Sequence, residues 1–189
     1  MEIIANRIVK YLDEDKTIWN DIDRMRMVLG LEVLIHNVVM IGTILIMSWL
    51  TGILWKAGIL LTAYGALKMS AGGVHFKKSS ACLIGTGIFV WSGVWLSNQL
   101  TIDLPYIIGI YLVCLIVLVF IGPQGTGNNP ISEENYDTLK RRTVILVFTY
   151  LGLTVIMAKY IGTIPYLLFI AVVFETISLL PSYLKNRSI

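Results

Sequence analysis

The sequence predicts an all-α membrane protein in which six transmembrane helices follow an amphipathic helix at the membrane surface. Two observations support this fold class. Hydrophobic residues make up 56% of the 189 residues and charged residues only 14%, whereas about a quarter of the residues of a soluble domain are charged. The apolar residues also fall into six long runs with short polar breaks between them. We therefore expect residues 1–189 to form a single membrane-embedded domain.

The first twelve residues have the spacing of an amphipathic helix. Apolar residues recur at helical intervals and form one stripe, which consists of Ile4, Ile8, Tyr11 and Leu12. Such a helix lies in the lipid headgroup region or docks on protein, and the sequence leaves both open. We expect residues 13–26 to form a second interfacial segment. The start of the chain lacks the apolar core and small-residue cleavage site of a signal peptide.

Six apolar runs have about the length that a membrane span requires, which is roughly 17 to 25 residues. They cover residues 31–50, 53–69, 81–96, 104–121, 143–160 and 164–184. The second and third runs are short, so we expect helix tilt or local thinning of the bilayer there. An even number of spans places both termini on the same side of the membrane.

The basic residues predict which side that is. All but two of the fifteen Lys and Arg residues precede the first run, lie in the stretch from Lys68 to Lys78, lie between the fourth and fifth runs, or follow the sixth. These are the four places that face the cytoplasm in a six-span protein with internal ends. We therefore predict a multi-pass protein of the cell membrane with cytoplasmic termini. The net charge of +3 is modest, and we expect no nucleic-acid partner.

The stretch from Lys68 to Gly87, KMSAGGVHFKKSSACLIGTG, combines a histidine, a cysteine, a glycine pair and a basic cluster. The charge pattern places it at the cytoplasmic face. The chain has two cysteines, Cys82 and Cys114, which are too few for a disulfide framework and lack the spacing of zinc ligands. We expect no metal and no cofactor. Cys114 lies among Val, Leu and Ile residues, which indicates packing.

A catalytic pair of His75 and Cys82 requires the chain to turn between them. In one continuous helix the two side chains would share a face but lie about 10 Å apart along the axis, whereas proton transfer needs heavy atoms about 3 Å apart. The glycine pair at 72–73 weakens the end of the second span. Ser79 or its neighbour can cap the start of the third. Cys82 then falls in the first turn of a helix.

The first turn of a helix favours a reactive thiol. Free backbone N–H groups and the helix dipole stabilise an anion there, and with a neighbouring histidine they lower the pKa of a thiol from about 8.5 to between about 3.5 and 7.5. Lys77 and Lys78 add positive charge nearby. A thiolate attacks a peptide carbonyl, and a histidine protonates the leaving amine. The pattern therefore favours a membrane-embedded cysteine peptidase with His75 and Cys82 as its catalytic residues.

Four motifs resemble those of the accessory gene regulator protein B (AgrB) family, and together they cover nearly the whole chain. They are GGVHFKKSSAC between the second and third runs, GLEVLIHN in the first, GPQGTGNNPI after the fourth and ETISLLP near the end. The resemblance implies a thiol protease of bacterial quorum sensing. Members cut the carboxyl-terminal part from a short pheromone precursor peptide, an AgrD-like partner, and participate in forming the thiolactone or lactone ring of the autoinducer.

The resemblance also implies roles for individual residues. Cys82 is the nucleophile, His75 the acid and base, Gly73 lets the backbone approach closely, and Lys68 matches a basic position with a supporting role. A homodimer is implied as well. The loop GTGNN departs from the lysine-rich version of some members, which bears on the choice of precursor and leaves the catalytic pair intact.

Two carboxylates outside this stretch are further candidates for the site. Glu175 lies inside the sixth run, where a carboxyl group is costly and is functional by default. It either orients His75 or bonds to a neighbouring helix. Glu32 lies where the first run meets the cytoplasm, and it could pair with Lys68 or Arg26 or help to shape the site.

A non-enzymatic membrane protein is the alternative class, either a small transporter or a pheromone exporter. In that case the polar residues would line a path through the membrane. The apolar runs carry few charges and contain no matching pair of broken helices of the kind that marks transporter repeats. The linker of residues 122–142 is rich in turn-forming residues, and we interpret it as a connection rather than as a surface for substrate.

Overall fold

The computed structural model describes residues 2–12, 20–72, 79–124, 133–158 and 162–187, and in these ranges the protein has seven α-helices and no strand. The helices are α1 (Glu2–Leu12), α2 (Asp21–Leu50), α3 (Leu54–Ala71), α4 (Ser79–Gln99), α5 (Leu104–Ile121), α6 (Glu133–Met157) and α7 (Ile164–Arg187). The chain divides into two compact units, Met1–Thr51 and Gly52–Ile189. The all-α fold class is confirmed, and the single domain stays a prediction.

The first unit consists of α1 packed on α2. Ala5 and Val9 of α1 are buried. The four residues of the predicted apolar stripe, Ile4, Ile8, Tyr11 and Leu12, are exposed. The predicted amino-terminal helix is therefore present, and its position at the membrane surface stays a prediction. Residues 13–19 of the expected second interfacial segment lie outside the described residues. The rest of that segment, from Asp21, is the first part of α2.

The second unit is built around α7, which packs against each of the other four helices of the unit, α3, α4, α5 and α6. In the apolar stretch of α7 from Ile164 to Pro181, 56% of the residues are buried, against 22% in α5. The last helix in the sequence is therefore the centre of this unit.

Small residues allow the helices of the second unit to approach one another. The buried face of α3 repeats every three or four residues and consists of Ala57, Leu60, Ala63, Leu67, Ser70 and Ala71. Gly93 of α4 lies against this face, because a Cβ atom added there would come 2.6 Å from Cδ2 of Leu60. Close backbone approach at small residues is the usual means of packing helices in membranes.

Buried hydroxyl groups tie the helices together with hydrogen bonds. The hydroxyls of Tyr111 on α5 and Thr154 on α6 lie 3.0 Å apart. The Tyr150 hydroxyl on α6 donates to the carbonyl oxygen of Ala63 on α3 at 3.1 Å. Both tyrosines would leave a polar group unsatisfied in an apolar interior without these partners, so the bonds help to fix how the helices pack.

Four of the described helices have the length and hydropathy of a membrane span: α2, α4, α5 and α7. The protein is therefore a multi-pass membrane protein. Among the described residues, α3 and α6 are also helical where spans were predicted, but α3 carries Lys56 and Lys68, and α6 begins with ten residues that include six charges. The count of six spans stays a prediction.

Candidate functional site

Cys82 lies in the first turn of α4, where the sequence analysis placed it. The helix begins at Ser79, and the backbone N–H groups of a first turn lack intrahelical partners. The side chain of Cys82 is half-buried, whereas that of Cys114 on α5 is 6% exposed. The two cysteines are not joined in a disulfide. Of the two thiols, Cys82 is thus the one that a substrate can reach without unfolding a helix.

The chain leaves the helical conformation at the end of α3. Gly72 follows the last residue of α3 with φ of 81° and ψ of −129°, a conformation that is essentially restricted to glycine. Predicted site residues Gly73 and His75, together with Lys77 and Lys78, lie outside the described residues. Ser79 is the first residue of α4, and its side chain also lies outside the description.

The segment that follows α5 lies against this turn. The backbone N–H of Gln124 donates to the carbonyl oxygen of Ala71 at 2.9 Å, and Gly72 and Gln124 form an isolated parallel bridge. The Tyr136 hydroxyl of α6 donates to the carbonyl oxygen of Gly122 at 3.2 Å. The first residues of the linker therefore pack against the end of α3. The sequence analysis interprets the linker as a connection only.

Lys68 lies in the last turn of α3, and Tyr64 lies one turn before it. The Lys68 ammonium is 3.4 Å from the Tyr64 hydroxyl and 5.5 Å from the centre of the Tyr64 ring, so a hydrogen bond and a cation–π contact hold it. Cys82 lies within electrostatic range of this ammonium. A cation so placed stabilises negative charge on sulfur.

Glu175 of α7 is the second charged group in electrostatic range of Lys68. Its side chain is 0% exposed. Oε2 accepts a hydrogen bond of 3.2 Å from the hydroxyl of Ser178, one turn further along α7, and Oε1 has no hydrogen-bond partner among the described residues. The structure thus brings Lys68, Cys82 and Glu175 together at one end of the second unit.

Three aromatic rings hold the helices of this cluster at fixed distances. The rings of Tyr64 and Phe89 lie 4.3 Å apart, and Phe89 meets Phe174 edge to face at 5.1 Å. These rings belong to α3, α4 and α7, the same helices that carry Lys68, Cys82 and Glu175. Aromatic pairs in these arrangements add stability beyond the area that they bury.

Glu32, the remaining candidate, lies on α2 in the first unit and is half-buried. Arg26, one of the two cations proposed to pair with it, lies 3.7 Å from the carboxylate of Asp23 instead. The ion pair of Arg26 and Asp23 is exposed and contributes little to stability.

The sequence analysis missed Tyr64 and Gln124 as residues of the site. Tyr64 could have been found from its position four residues before Lys68, since residues at this spacing are neighbours on a helix. Gln124 lies within the motif GPQGTGNNPI, but nothing in the sequence shows that this segment meets the end of α3.

Comparisons with known proteins show the family of the chain. The family model for accessory gene regulator B matches residues 2–179. An AgrB-like protein of Clostridium acetobutylicum is 23% identical over 95% of this chain and 83% of its own length. The protein FsrB of Enterococcus faecalis is 31% identical over 55% of this chain and 44% of its own length.

A third relative, the accessory gene regulator protein B of Staphylococcus epidermidis, is 26% identical over 67% of this chain and 64% of its own length. The matches thus span less than two thirds of the Staphylococcus epidermidis protein and of FsrB. No solved structure matches the chain. Since the family model covers nearly the whole sequence, including Lys68, Cys82 and Glu175, the chain belongs to the accessory gene regulator B family.

Proposed function

We propose that the protein is a cysteine endopeptidase of quorum sensing that removes the carboxyl-terminal tail of a pheromone precursor peptide and assists the cyclisation of the remainder. The position of Cys82 carries this proposal. Its half-buried thiol lies in the first turn of α4, within electrostatic range of Lys68 and next to a break between two helices. Membership of the accessory gene regulator B family supports the same reading.

In the first step, the thiolate of Cys82 attacks the carbonyl carbon of the scissile peptide bond. The carbon–nitrogen bond breaks, His75 donates a proton to the leaving amine, and the truncated peptide remains bound to Cys82 as a thioester. His75 has this role by its match to the family motif. Lys68 offsets the negative charge on the sulfur before attack, and Gly73 leaves room for the peptide backbone.

In the second step, a thiol or hydroxyl group of the bound peptide attacks the thioester. His75 takes the proton of that group, the Cys82 thiolate leaves, and the new thioester or ester bond closes a ring. Water would give only hydrolysis, so the site has to exclude it. The full burial of Glu175 and the contact between the tilted rings of Tyr64 and Phe89 support such exclusion.

We also propose the topology and assembly in which this chemistry takes place. Both termini and the site face the cytoplasm in this proposal, because nearly all basic residues fall in the chain segments that a six-span arrangement with internal ends puts in the cytoplasm. There the site meets a precursor made in the cell. The protein acts as a homodimer in the cell membrane and uses neither metal nor cofactor.

The proposal is tested by co-expressing the protein with candidate precursor peptides and analysing the products by mass spectrometry. The wild type should yield a shortened peptide and a ring product lighter than it by one water. Cys82→Ala and His75→Ala should yield neither, although both variants should reach the membrane in normal amounts. Normal cleavage by either variant would rule out this mechanism, and absence of cleavage by the wild type would favour the transporter class.

A further inference from the structure

Among the described residues, Lys68 is the one cation of a cluster that also contains a carboxyl group and a thiol group. Among the described residues, the electrostatic partners of the Lys68 ammonium are Glu175 and Cys82. These groups are carried by three different helices, α3, α7 and α4, which pack against one another. Lys68 therefore cannot balance both anions at once, and the charge state of one acid affects the other.

Glu175 has little besides Lys68 to stabilise its charge. The carboxyl group is fully buried, one oxygen accepts a single bond from Ser178, and the other lacks a partner among the described residues. An ionised carboxylate in such a place needs a nearby cation. Lys68 and Glu175 are not in direct contact, since the structure records no ion pair between these two described residues.

Tyr64 holds Lys68 through direct contacts of its own. Its hydroxyl and its ring both contact the ammonium, and the ring is itself held by Phe89 of α4. The hydroxyl also lies beside that of Ser178. Removal of the charge of Glu175 should therefore leave Lys68 in place and take away only the anion that competes for it.

We propose that Glu175 is a positioning residue that competes with Cys82 for the charge of Lys68 and thereby sets how readily Cys82 forms a thiolate. This inference rests on the proposed function and deepens it. With the thiol protonated, the charges of Lys68 and Glu175 cancel. With the thiolate formed, the cluster carries one net negative charge. An ionised Glu175 therefore makes the thiolate less stable than Lys68 alone would.

The same balance affects the acyl-enzyme. Acylation removes the charge of the Cys82 sulfur, and Lys68 and Glu175 then neutralise each other in the buried cluster. The acyl-enzyme thus has the same net charge as the resting thiol form. Departure of the thiolate in the ring-closing step restores the unbalanced negative charge. Glu175 therefore makes Cys82 a slower leaving group and lengthens the life of the thioester, which gives the peptide nucleophile time to reach it.

The proposal is tested by the rate at which iodoacetamide alkylates Cys82 at different pH values. The full chain is used in inside-out membrane vesicles, with Cys114→Ser as the background so that one thiol remains. The groups that titrate within the described cluster are Tyr64, Lys68, Cys82 and Glu175. The assay needs no precursor, so it reports on the cluster even if the protein cleaves none.

We expect Glu175→Gln and Lys68→Met to act in opposite directions. Glu175→Gln should raise the alkylation rate about tenfold at a pH below the midpoint, which is a shift of about one pH unit. Lys68→Met should lower the rate by a similar factor, and the double variant should lie between the two. Lys68→Arg and Glu175→Asp preserve the charge at each position, so each variant should keep the wild-type dependence of the alkylation rate on pH. A role in folding alone would move both single variants in the same direction.

Thr176→Val is the control for a change at a buried polar position of the same helix. Thr176 lies beside Cys114 of α5 rather than beside Lys68, and its replacement should leave the alkylation profile unchanged. An unchanged profile in Glu175→Gln, or a shift in the same direction as Lys68→Met, would overturn the proposal. If Glu175→Gln and Lys68→Met shifted the profile in opposite directions but the wild type cleaved no precursor, the electrostatic competition would be supported and the proposed peptidase function would be refuted.

Discussion

The two cysteines of the protein lie on helices that pack against the same central helix, yet their surroundings differ. Cys82 lies in the first turn of α4 and is half-buried within electrostatic range of the Lys68 ammonium. Cys114 lies in the middle of α5, is 6% exposed and has the hydroxyl of Thr176 beside it. The two thiols thus differ in burial, in position along a helix and in the charged groups near them.

The largest difference that this contrast predicts is in reactivity. In inside-out vesicles at neutral pH, a thiol-reactive probe should modify Cys82 about a hundredfold faster than Cys114, because Cys114 becomes accessible only when α5 opens locally. Mass spectrometry of peptides from a time course measures both rates in the same sample. Modification should stop precursor cleavage in step with the labelling of Cys82.

Cys114→Ala is the matched control for that experiment. It should leave cleavage unchanged, and labelling of this variant should still abolish cleavage. Equal labelling rates for the two cysteines in the wild type would contradict the difference in surroundings described above.

The second largest effect is expected at the turn after α3. Gly72→Ala places a Cβ atom on a residue with φ of 81°, directly against the carbonyl oxygen of Gln124. Because that atom is backbone, α3 and the segment after α5 have to separate. Such strain costs about 1–3 kcal/mol, and we expect precursor cleavage to fall about tenfold or more. Cleavage is measured by mass spectrometry at equal amounts of protein in the membrane.

Gly65→Ala provides the comparison within the same helix. A Cβ atom added at Gly65 meets nothing within 4 Å, and alanine is the better helix former. This variant should cleave like the wild type. Normal cleavage by Gly72→Ala would show that the contact between Gly72 and Gln124 does not shape the site.

Much of the second unit could be predicted from hydropathy. The predicted run 104–121 coincides with α5, and α7 begins at Ile164 as predicted. Hydropathy failed at the polar ends of helices: α2 begins at Asp21 and α6 at Glu133, ten residues before each predicted run. Charged residues are good helix formers in water, so a helix continues beyond the hydrocarbon layer while its hydropathy falls.

The candidate site could be predicted only where its residues are close in sequence. The placement of Cys82 in a first turn followed from local signals, namely a glycine pair and two serines before an apolar run. The association of Lys68 with Glu175 joins positions 107 residues apart and depends on how α3 packs on α7. A pattern along one chain carries no information about that distance, so Glu175 could be recognised as costly but its partner could not be assigned.

The third prediction concerns the hydroxyl that holds Lys68. Tyr64→Phe removes the group 3.4 Å from the ammonium and keeps the ring that stacks on Phe89. We expect the rate of precursor cleavage to fall about threefold to tenfold, since at 3.4 Å the bond from the Lys68 ammonium is weaker than the hydrogen bonds to charged groups that contribute about 1.5–3 kcal/mol. KM should change little, because Tyr64 acts on Lys68 and not on the peptide. Initial rates at several precursor concentrations separate the two constants, and a change confined to KM would contradict this role.

The smallest effect is predicted for the same substitution in the other region. Tyr111→Phe removes the hydroxyl that meets Thr154 at 3.0 Å between α5 and α6, and a hydrogen bond between membrane helices contributes about 0.6 kcal/mol on average. The purified variant should therefore unfold at slightly lower denaturant or temperature than the wild type, and it should cleave precursor at the normal rate wherever it is folded. Tyr64→Phe should show the reverse, with slower cleavage and little change in stability. If Tyr111→Phe slowed cleavage as much as Tyr64→Phe, the two regions would be coupled through α7, and Cys114 would have to be considered part of the site.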